Sequence, residues 1–171
     1  MTRPDIEKVP DFYKPYVELV KDMDMMDALR FASKKAQQLV PYIPEEKGGY
    51  RYAEGKWTVK EVLNHMMDTE RVFAYRALRF SRNDQTPLSP FDEDFYAPKA
   101  NAHARDIQQL ARELKRLRET TIDLFASMTP EMLQYEGTAS GKRLSVLYLG
   151  YITAGHDLHH QRILQERYLG S

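Results

Sequence analysis

The sequence contains no cysteine. Disulfide bonds, thiolate metal sites and a cysteine nucleophile are therefore excluded, and any bound metal must be held by histidine, aspartate or glutamate. The chain also lacks an excess of charge of either sign, because 25 basic and 25 acidic residues balance to a formal net charge of zero. That balance argues against a nucleic-acid partner held through its phosphates, which needs a basic face.

Long apolar runs are missing as well. The N-terminal residues lack the apolar centre of a signal peptide, and no run approaches the ~18 apolar residues that a membrane span needs. We therefore expect a cytoplasmic protein with no membrane partner. The 171 residues suit one domain, and we predict a single domain over residues 1–171.

Helical periodicity dominates the rest of the chain. Residues 1–16 carry three prolines and are predicted to form an extended N-terminal arm. Apolar residues then recur at three- and four-residue steps, which predicts four amphipathic helices and no sheet. The predicted helices cover residues 17–40, 58–82, 103–127 and 144–168, and the segment "GTASGKR" is predicted to be a flexible connector.

Four such helices predict an all-α four-helix bundle. The clearest helix start is at Thr58, where Glu61 three residues later forms a capping box. The connection between the second and third helices, about 83–102, is long enough to run the length of the bundle. These two helices are therefore predicted to be parallel, which gives an up-down-down-up order.

Three of the five histidines lie in the stretch "TAGHDLHHQRIL" of the last helix. At 100° per residue, His156 and His160 fall on the apolar side of that helix, and His159 falls at its rim. An i, i+4 pair of imidazoles can share one metal ion. The same pair is also compatible with ordinary buried histidines, so the spacing alone leaves both interpretations open.

A third ligand must come from a facing helix, and His65 is the candidate. It lies beside the core stripe of the second helix, in its second turn. His65 reaches the other two only if the second and fourth helices are antiparallel, as the proposed order makes them. His103 is expected to be exposed at the start of the third helix. The charge-rich third helix, "ARDIQQLARELKRLRETT", is interpreted as a solvated face with a core stripe.

The stretches "YRYAEGKWTVKEVLNHMMDTERVFAYRALRFSRND" and "GTASGKRLSVLYLGYITAGHDLHHQRILQERYL" resemble the DinB-like (DinB/YfiT) superfamily of metal-dependent enzymes. The most specific elements are W-[ST]-x-x-E-x-x-x-H, here Trp57 to His65, and H-x-x-x-H, here His156 to His160. The resemblance implies the up-down-down-up bundle and a divalent metal ion, commonly zinc or nickel, held by these three histidines. It also implies a small-molecule substrate, possible use of a thiol such as bacillithiol, mycothiol or glutathione, and a homodimer.

Three functions stay open at this stage. The first is a metal-dependent transferase that uses a low-molecular-weight thiol, since the chain has no thiol of its own. The second is a metal-dependent hydrolase, and the third is a non-enzymatic metal-binding bundle that dimerises. Glu61 and Asp68, one turn on either side of His65, are expected to orient the ligands. Arg76 and Arg79 are expected to face solvent, with a thiol-binding role as the alternative, and no catalytic residue is assigned.

Overall fold

Four long helices dominate the computed structural model, which describes residues 3–170 of the chain. They are α2 (Met25–Leu39), α3 (Val59–Ser81), α5 (Ile107–Ala126) and α7 (Val146–Ile163). Shorter elements connect and flank them: α1 (Lys14–Glu18), α4 (Glu93–Tyr96), α6 (Pro130–Gln134), β1 (Glu136–Ala139) and β2 (Lys142–Ser145). A π-helical segment, Leu164–Leu169, continues α7. None of the helices in this described part of the chain is long and apolar enough to cross a membrane.

Side-chain caps set the start of each long helix. The capping box predicted at Thr58 is present: the Glu61 carboxylate accepts from the Thr58 amide at 2.7 Å, and the Thr58 hydroxyl accepts from the Glu61 amide. The side chains of Asp24, Asp106 and Ser145 likewise accept from the amide three residues later and cap α2, α5 and α7, and Asp106 forms a second capping box with Gln109. Each cap satisfies an amide that the first helical turn leaves without a partner.

Two hydrophobic clusters fill the bundle. One joins the first half of α2, the last half of α3, the end of α5 and the first half of α7, through Ala28, Leu29, Phe73, Phe80, Phe125, Leu149 and Ile152. The other joins the opposite halves of the same helices, through Ala36, Val62, Leu63, Met67, Ile107, Leu110 and Leu164. Both α5 and α7 lie against α2 and α3.

A buried ion network lies between the two clusters. Arg118 of α5 is 2% exposed and donates from Nε and Nη2 to the two carboxylate oxygens of Glu70 in α3, at 2.8 and 2.9 Å. Its Nη2 atom also lies 3.0 Å from a carboxylate oxygen of Asp157 in α7, and its Nη1 atom donates to the Leu29 carbonyl in α2. One side chain thus joins all four long helices, which corrects the interpretation of the charged residues of α5 as solvated.

The first predicted helix is shorter than expected. Asp24 starts a new helix, so residues 17–40 form the end of α1, a turn, α2 and a 3-10 turn at Val40–Tyr42. The predicted extended arm is wrong for its described residues, because it contains two 3-10 turns and the beginning of α1. Tyr13 of the arm and Val17, which follows it in α1, are buried against the bundle. Methionine 1 and threonine 2 of the arm lie outside the described residues.

The predicted flexible connector is a β-hairpin, and the prediction of no sheet is therefore wrong. Ala139 pairs with Lys142 across the two-residue turn Ser140–Gly141. Both turn residues have positive φ, at 52° and 71°, which is the conformation of a tight hairpin turn. The Leu88 amide donates to the Thr138 carbonyl at 2.9 Å. The long connection between α3 and α5 is thereby attached to the hairpin.

Gly155 lets α1 approach α7 closely. A Cβ atom at this position would lie 2.0 Å from the Tyr16 carbonyl oxygen, a distance that real Cβ atoms do not reach. The contact is backbone to backbone, so no side-chain rotation can relieve it. The position of Tyr16 on the bundle therefore depends on glycine at residue 155.

We expect Gly155→Ala to destabilise the protein by about 1–3 kcal/mol, the usual cost of overpacking a tight contact. Urea unfolding measures this change. Gly49→Ala is the control, because a Cβ atom there meets nothing within 4 Å. Equal stability of the two variants would contradict the close packing of α1 on α7.

We expect Arg118→Met to cost about 3–5 kcal/mol of unfolding free energy, because it leaves Glu70 and Asp157 buried without their cation. Arg116→Met is the matched control, since Arg116 is exposed on the same helix. A loss below about 1 kcal/mol for Arg118→Met in urea unfolding would show that the network does not hold the helices together.

Candidate metal centre

Three histidines from two helices converge on one point. His65 lies in the second turn of α3, and His156 and His160 lie one turn apart on α7. The Nε2 atoms of His65 and His156, of His65 and His160, and of His156 and His160 are each 3.1 Å apart. They form the one group of potential metal ligands found among the described residues.

This arrangement fits a divalent metal ion. Three nitrogens bound to one ion at about 2.0–2.1 Å are separated by roughly 2.9–3.4 Å, depending on the coordination angle. The observed separation of 3.1 Å lies within that range. Hydrogen bonds among the three rings are a poor alternative, because a neutral imidazole carries one proton and three converging nitrogens cannot all be paired by such protons.

Burial keeps the three rings neutral. It lowers the pKa of His65 to about 4, with a smaller contribution from the charge of His159. Burial and the neighbouring imidazoles also lower the pKa values of His156 and His160 well below the ordinary range. A neutral imidazole is the form that binds a metal ion, so the site is in its binding form near neutral pH.

Aromatic rings hold the imidazoles in place. The Trp57 ring lies 4.6 Å from the His65 ring, centroid to centroid. Tyr16 of α1 contacts His156 and His159 edge-on, at 5.4 and 5.3 Å. The hydroxyl of Thr69, one turn after His65, lies 3.5 Å from His65 Nδ1, which is at the outer limit of a hydrogen bond.

A cavity of about 330 Å³ opens onto the three histidines. Its walls come from the N-terminal segment, α3, the connection after α3 and the hairpin, and are formed by Tyr13, Tyr16, Trp57, Thr69, Phe73, Arg76, Phe91, Glu93, Ser140 and Lys142 among others. This volume suits a small organic molecule. The histidines therefore have protein on one side and space for a ligand on the other.

The other two histidines lie outside the converging group. His159 is half-buried at the rim, as helical phasing predicts, with its ring 5.1 Å from that of His160. His103 is exposed, and its Nε2 atom lies 3.3 Å from the hydroxyl of Thr58.

The carboxylates of Glu61 and Asp68 have hydrogen bonds elsewhere. Glu61 serves the capping box, and Asp68 accepts from Asn64 at 2.7 Å and from Arg71 at 3.2 Å. These contacts give no support to the orienting role expected for the two residues. Thr69 is the polar side chain nearest to His65 Nδ1 among the described contacts.

Several cavity residues were not predicted from the sequence. Arg76 was expected to face solvent but is 2% exposed and lines the cavity. Arg79 is paired with Asp84 and Tyr75 instead. Arg76 lies three residues after Phe73 and four before Phe80, so its phase on the core stripe was a usable signal. No local pattern indicates Tyr13 and Tyr16, and the position of Tyr16 depends on Gly155 of a distant helix.

Comparison with known proteins identifies relatives of the chain. The DinB superfamily model matches residues 28–164. A protein of Geobacillus thermodenitrificans (strain NG80-2) named "Putative metal-dependent hydrolase" is 27% identical over 151 residues, which cover 86% of this chain and 79% of that protein.

Solved structures share the fold. YfiT from Bacillus subtilis, described as "a probable metal-dependent hydrolase with an unusual four-helix bundle topology", aligns with a TM-score of 0.74 and 19% identity, over 85% of this chain and 86% of that one. A mycothiol-dependent maleylpyruvate isomerase aligns with a TM-score of 0.69 and 13% identity, over 95% of this chain but 62% of the isomerase.

We expect the wild-type protein, purified without a tag, to bind roughly one zinc or nickel ion per chain. Each of the variants His65→Ala, His156→Ala and His160→Ala should bind the ion at least about 100-fold more weakly. Mass spectrometry of dialysed protein measures the metal content. Nickel quenching of Trp57, the single tryptophan, measures the affinity.

His159→Ala and His103→Ala are the matched controls and should keep the metal. Loss of metal from His159→Ala would mean that a different face of α7 points toward the metal and α3. Unchanged metal content in all three ligand variants would refute the site.

Proposed function

The chain belongs to the DinB superfamily, and we propose that it is a metal-dependent enzyme whose ion is held by His65, His156 and His160. The observation that carries this proposal is the convergence of three neutral imidazole nitrogens, 3.1 Å apart, on the floor of a cavity of about 330 Å³. Structural zinc sites are usually closed by four protein ligands. Three ligands facing a cavity favour a catalytic site.

The ion would supply a nucleophile, because a bound dication lowers the pKa of a coordinated thiol or water. The protein's own residues have other tasks. Trp57 and Tyr16 pack against the ligand rings and limit their rotation. Phe73 and Phe91 line the cavity with apolar surface that excludes water from the substrate.

Transfer to or from a low-molecular-weight thiol is the reaction that we propose first. The chain contains no cysteine, so a sulfur nucleophile must enter as a cosubstrate, and the cavity beside the histidines has room for one. The fold shared with a mycothiol-dependent isomerase supports this choice. The thiolate would attack an electrophilic carbon, the carbon–sulfur bond would form, and the leaving group would depart with its electron pair.

Hydrolysis is the second candidate. It is favoured by the name of the relative from Geobacillus thermodenitrificans and by the description of YfiT. The same three histidines would serve, with water in place of the thiol. A purely structural metal, the third possibility, requires the open side of the site to be blocked, whereas the cavity reaches all three histidines.

We also infer that the long helices run up, down, down, up. The start of α2 shares a cluster with the end of α3, the end of α5 and the start of α7. The opposite ends of these helices share the second cluster. The choice of zinc or nickel, the homodimer and the cytoplasmic location stay predictions.

We expect metal-loaded protein to accelerate the reaction of 1-chloro-2,4-dinitrobenzene with one of three thiols, namely bacillithiol, mycothiol or glutathione. A chelator should lower the catalysed rate by at least about 90%, because the nucleophile needs the ion. Thioether formation, followed by absorbance, measures the rate. His156→Ala is the inactive control and His103→Ala the active one.

A parallel assay with p-nitrophenyl acetate separates the two candidate reactions. Chelator-sensitive ester cleavage without any thiol-dependent rate would favour the hydrolase. A thiol-dependent rate that neither the chelator nor His156→Ala changes would contradict the proposed function.

A further inference from the structure

One buried cation on the cavity wall has no carboxylate partner. Arg76 of α3 is 2% exposed, and no carboxylate of the described residues lies within ion-pair distance of its guanidinium. Arg118 is equally buried but is paired with Glu70 and Asp157. Buried charges are normally paired, because removing a charge from water is costly. The contrast between these two arginines indicates that the counter-ion of Arg76 comes from a ligand.

Neutral groups hold Arg76 in place. Its Nη2 atom donates to the Ser140 hydroxyl at 2.9 Å and to the Ser89 carbonyl at 3.2 Å. The guanidinium carbon lies 5.8 and 5.9 Å from the ring centres of Phe73 and Phe91, and Tyr13 lines the same cavity. These contacts orient the cation, but they do not neutralise it.

The other charges on the cavity wall are one cation and one carboxylate. Lys142, in β2 next to the hairpin turn, adds a second positive charge. The carboxylate is Glu93 of α4, which lies near two tyrosines of the cavity wall. Burial, and after it the negative charge of Glu93, raises the pKa of Tyr16. Burial also raises the pKa of Tyr13, with Glu93 as a minor cause. Two cations against one carboxylate leave this end of the cavity electropositive.

We propose that Arg76, assisted by Lys142, binds a carboxylate group of the substrate. This inference rests on the proposed function, since it gives Arg76 and Lys142 a binding role in the same cavity that contains the metal centre. The guanidinium is permanently charged, and its Nη1 atom makes no hydrogen bond to the described residues, so that it can donate a charge-assisted hydrogen bond to a carboxylate. The substrate class is therefore a small carboxylic acid whose reacting group lies several bonds from its carboxylate.

Phe73 lies between the metal centre and Arg76 and sets the distance between them. Its ring lies 6.2 Å from the ring of His156 on one side and 5.8 Å from the Arg76 guanidinium carbon on the other. Phe73 also lines the cavity, so a ligand that reaches both groups would lie beside its ring. A chain of about five methylene groups between thiol and carboxylate spans such a distance.

The test compares 6-mercaptohexanoate with 6-mercaptohexanol, two probes of equal length that differ in the carboxylate. Isothermal titration calorimetry with zinc-loaded protein should show that the acid binds at least about 10-fold more tightly than the alcohol, because charge-assisted hydrogen bonds are the stronger ones. Arg76→Gln should reduce this ratio to about 2 or less, and Lys142→Met should reduce it several-fold. Fluorescence of Trp57, which lines the cavity, is the second readout.

Arg79→Gln is the matched control and should keep the full ratio, because Arg79 is on the same helix but paired with Asp84. Glutamine can retain hydrogen bonds to Ser140 and Ser89, and circular dichroism checks that each variant is folded. Equal binding of acid and alcohol by the wild type would overturn the proposal whatever the variants do. A ratio unchanged in folded Arg76→Gln would overturn it as well.

Hexanoate and 1-hexanol, which carry no thiol, separate this inference from the proposed function. Chelator-treated protein should still prefer hexanoate, since Arg76 is not part of the metal centre. Failure of the chelator to weaken 6-mercaptohexanoate binding would count against the metal-dependent function alone. Loss of the preference for acids, with the chelator effect intact, would count against the carboxylate subsite alone.

Discussion

The contact between Arg118 and its two carboxylates fixes the register of the helices that carry the histidines. Glu70 follows His65 by five residues on α3, and Asp157 follows His156 directly on α7. Because Arg118 contacts both within 3.0 Å, α3 and α7 cannot slide along each other without breaking a buried ion pair. The network is removed from water, and this burial raises the pKa of Asp157 to about 6 against the effect of Arg118.

The metal centre and the substrate cavity are built from different kinds of structure. All three proposed ligands lie on long helices, whose packing holds the Nε2 atoms at nearly equal separations. The cavity walls come in large part from α1, the connection after α3 and the hairpin, which are shorter elements than the four long helices. The metal centre and the surface that would contact a substrate thus come from different parts of the chain, and function is set by the site and not by the fold.

Local signals were sufficient for the existence of the four long helices and for the faces on which the histidines lie, but not for the start of the first helix. The capping box at Thr58 gave the start of α3, and helical phasing separated His156 and His160 from His159. The dipeptide Ser140–Gly141 was a turn signal, but we interpreted the segment around it as a flexible connector instead of a hairpin. Arg76 and Arg118 were misjudged for a physical reason. Both lie in phase with apolar stripes, but burial of an arginine depends on partners from other helices or from loops, which a single stretch of sequence does not reveal.

The central claim is that His65, His156 and His160 bind one divalent metal ion. Anomalous diffraction from a crystal of zinc-loaded protein, recorded on both sides of the zinc absorption edge, tests it most directly. The account predicts one anomalous peak per chain, at about 2.0–2.1 Å from all three Nε2 atoms. A fully loaded crystal with no peak between the three rings, or with its peak on other residues, would contradict it.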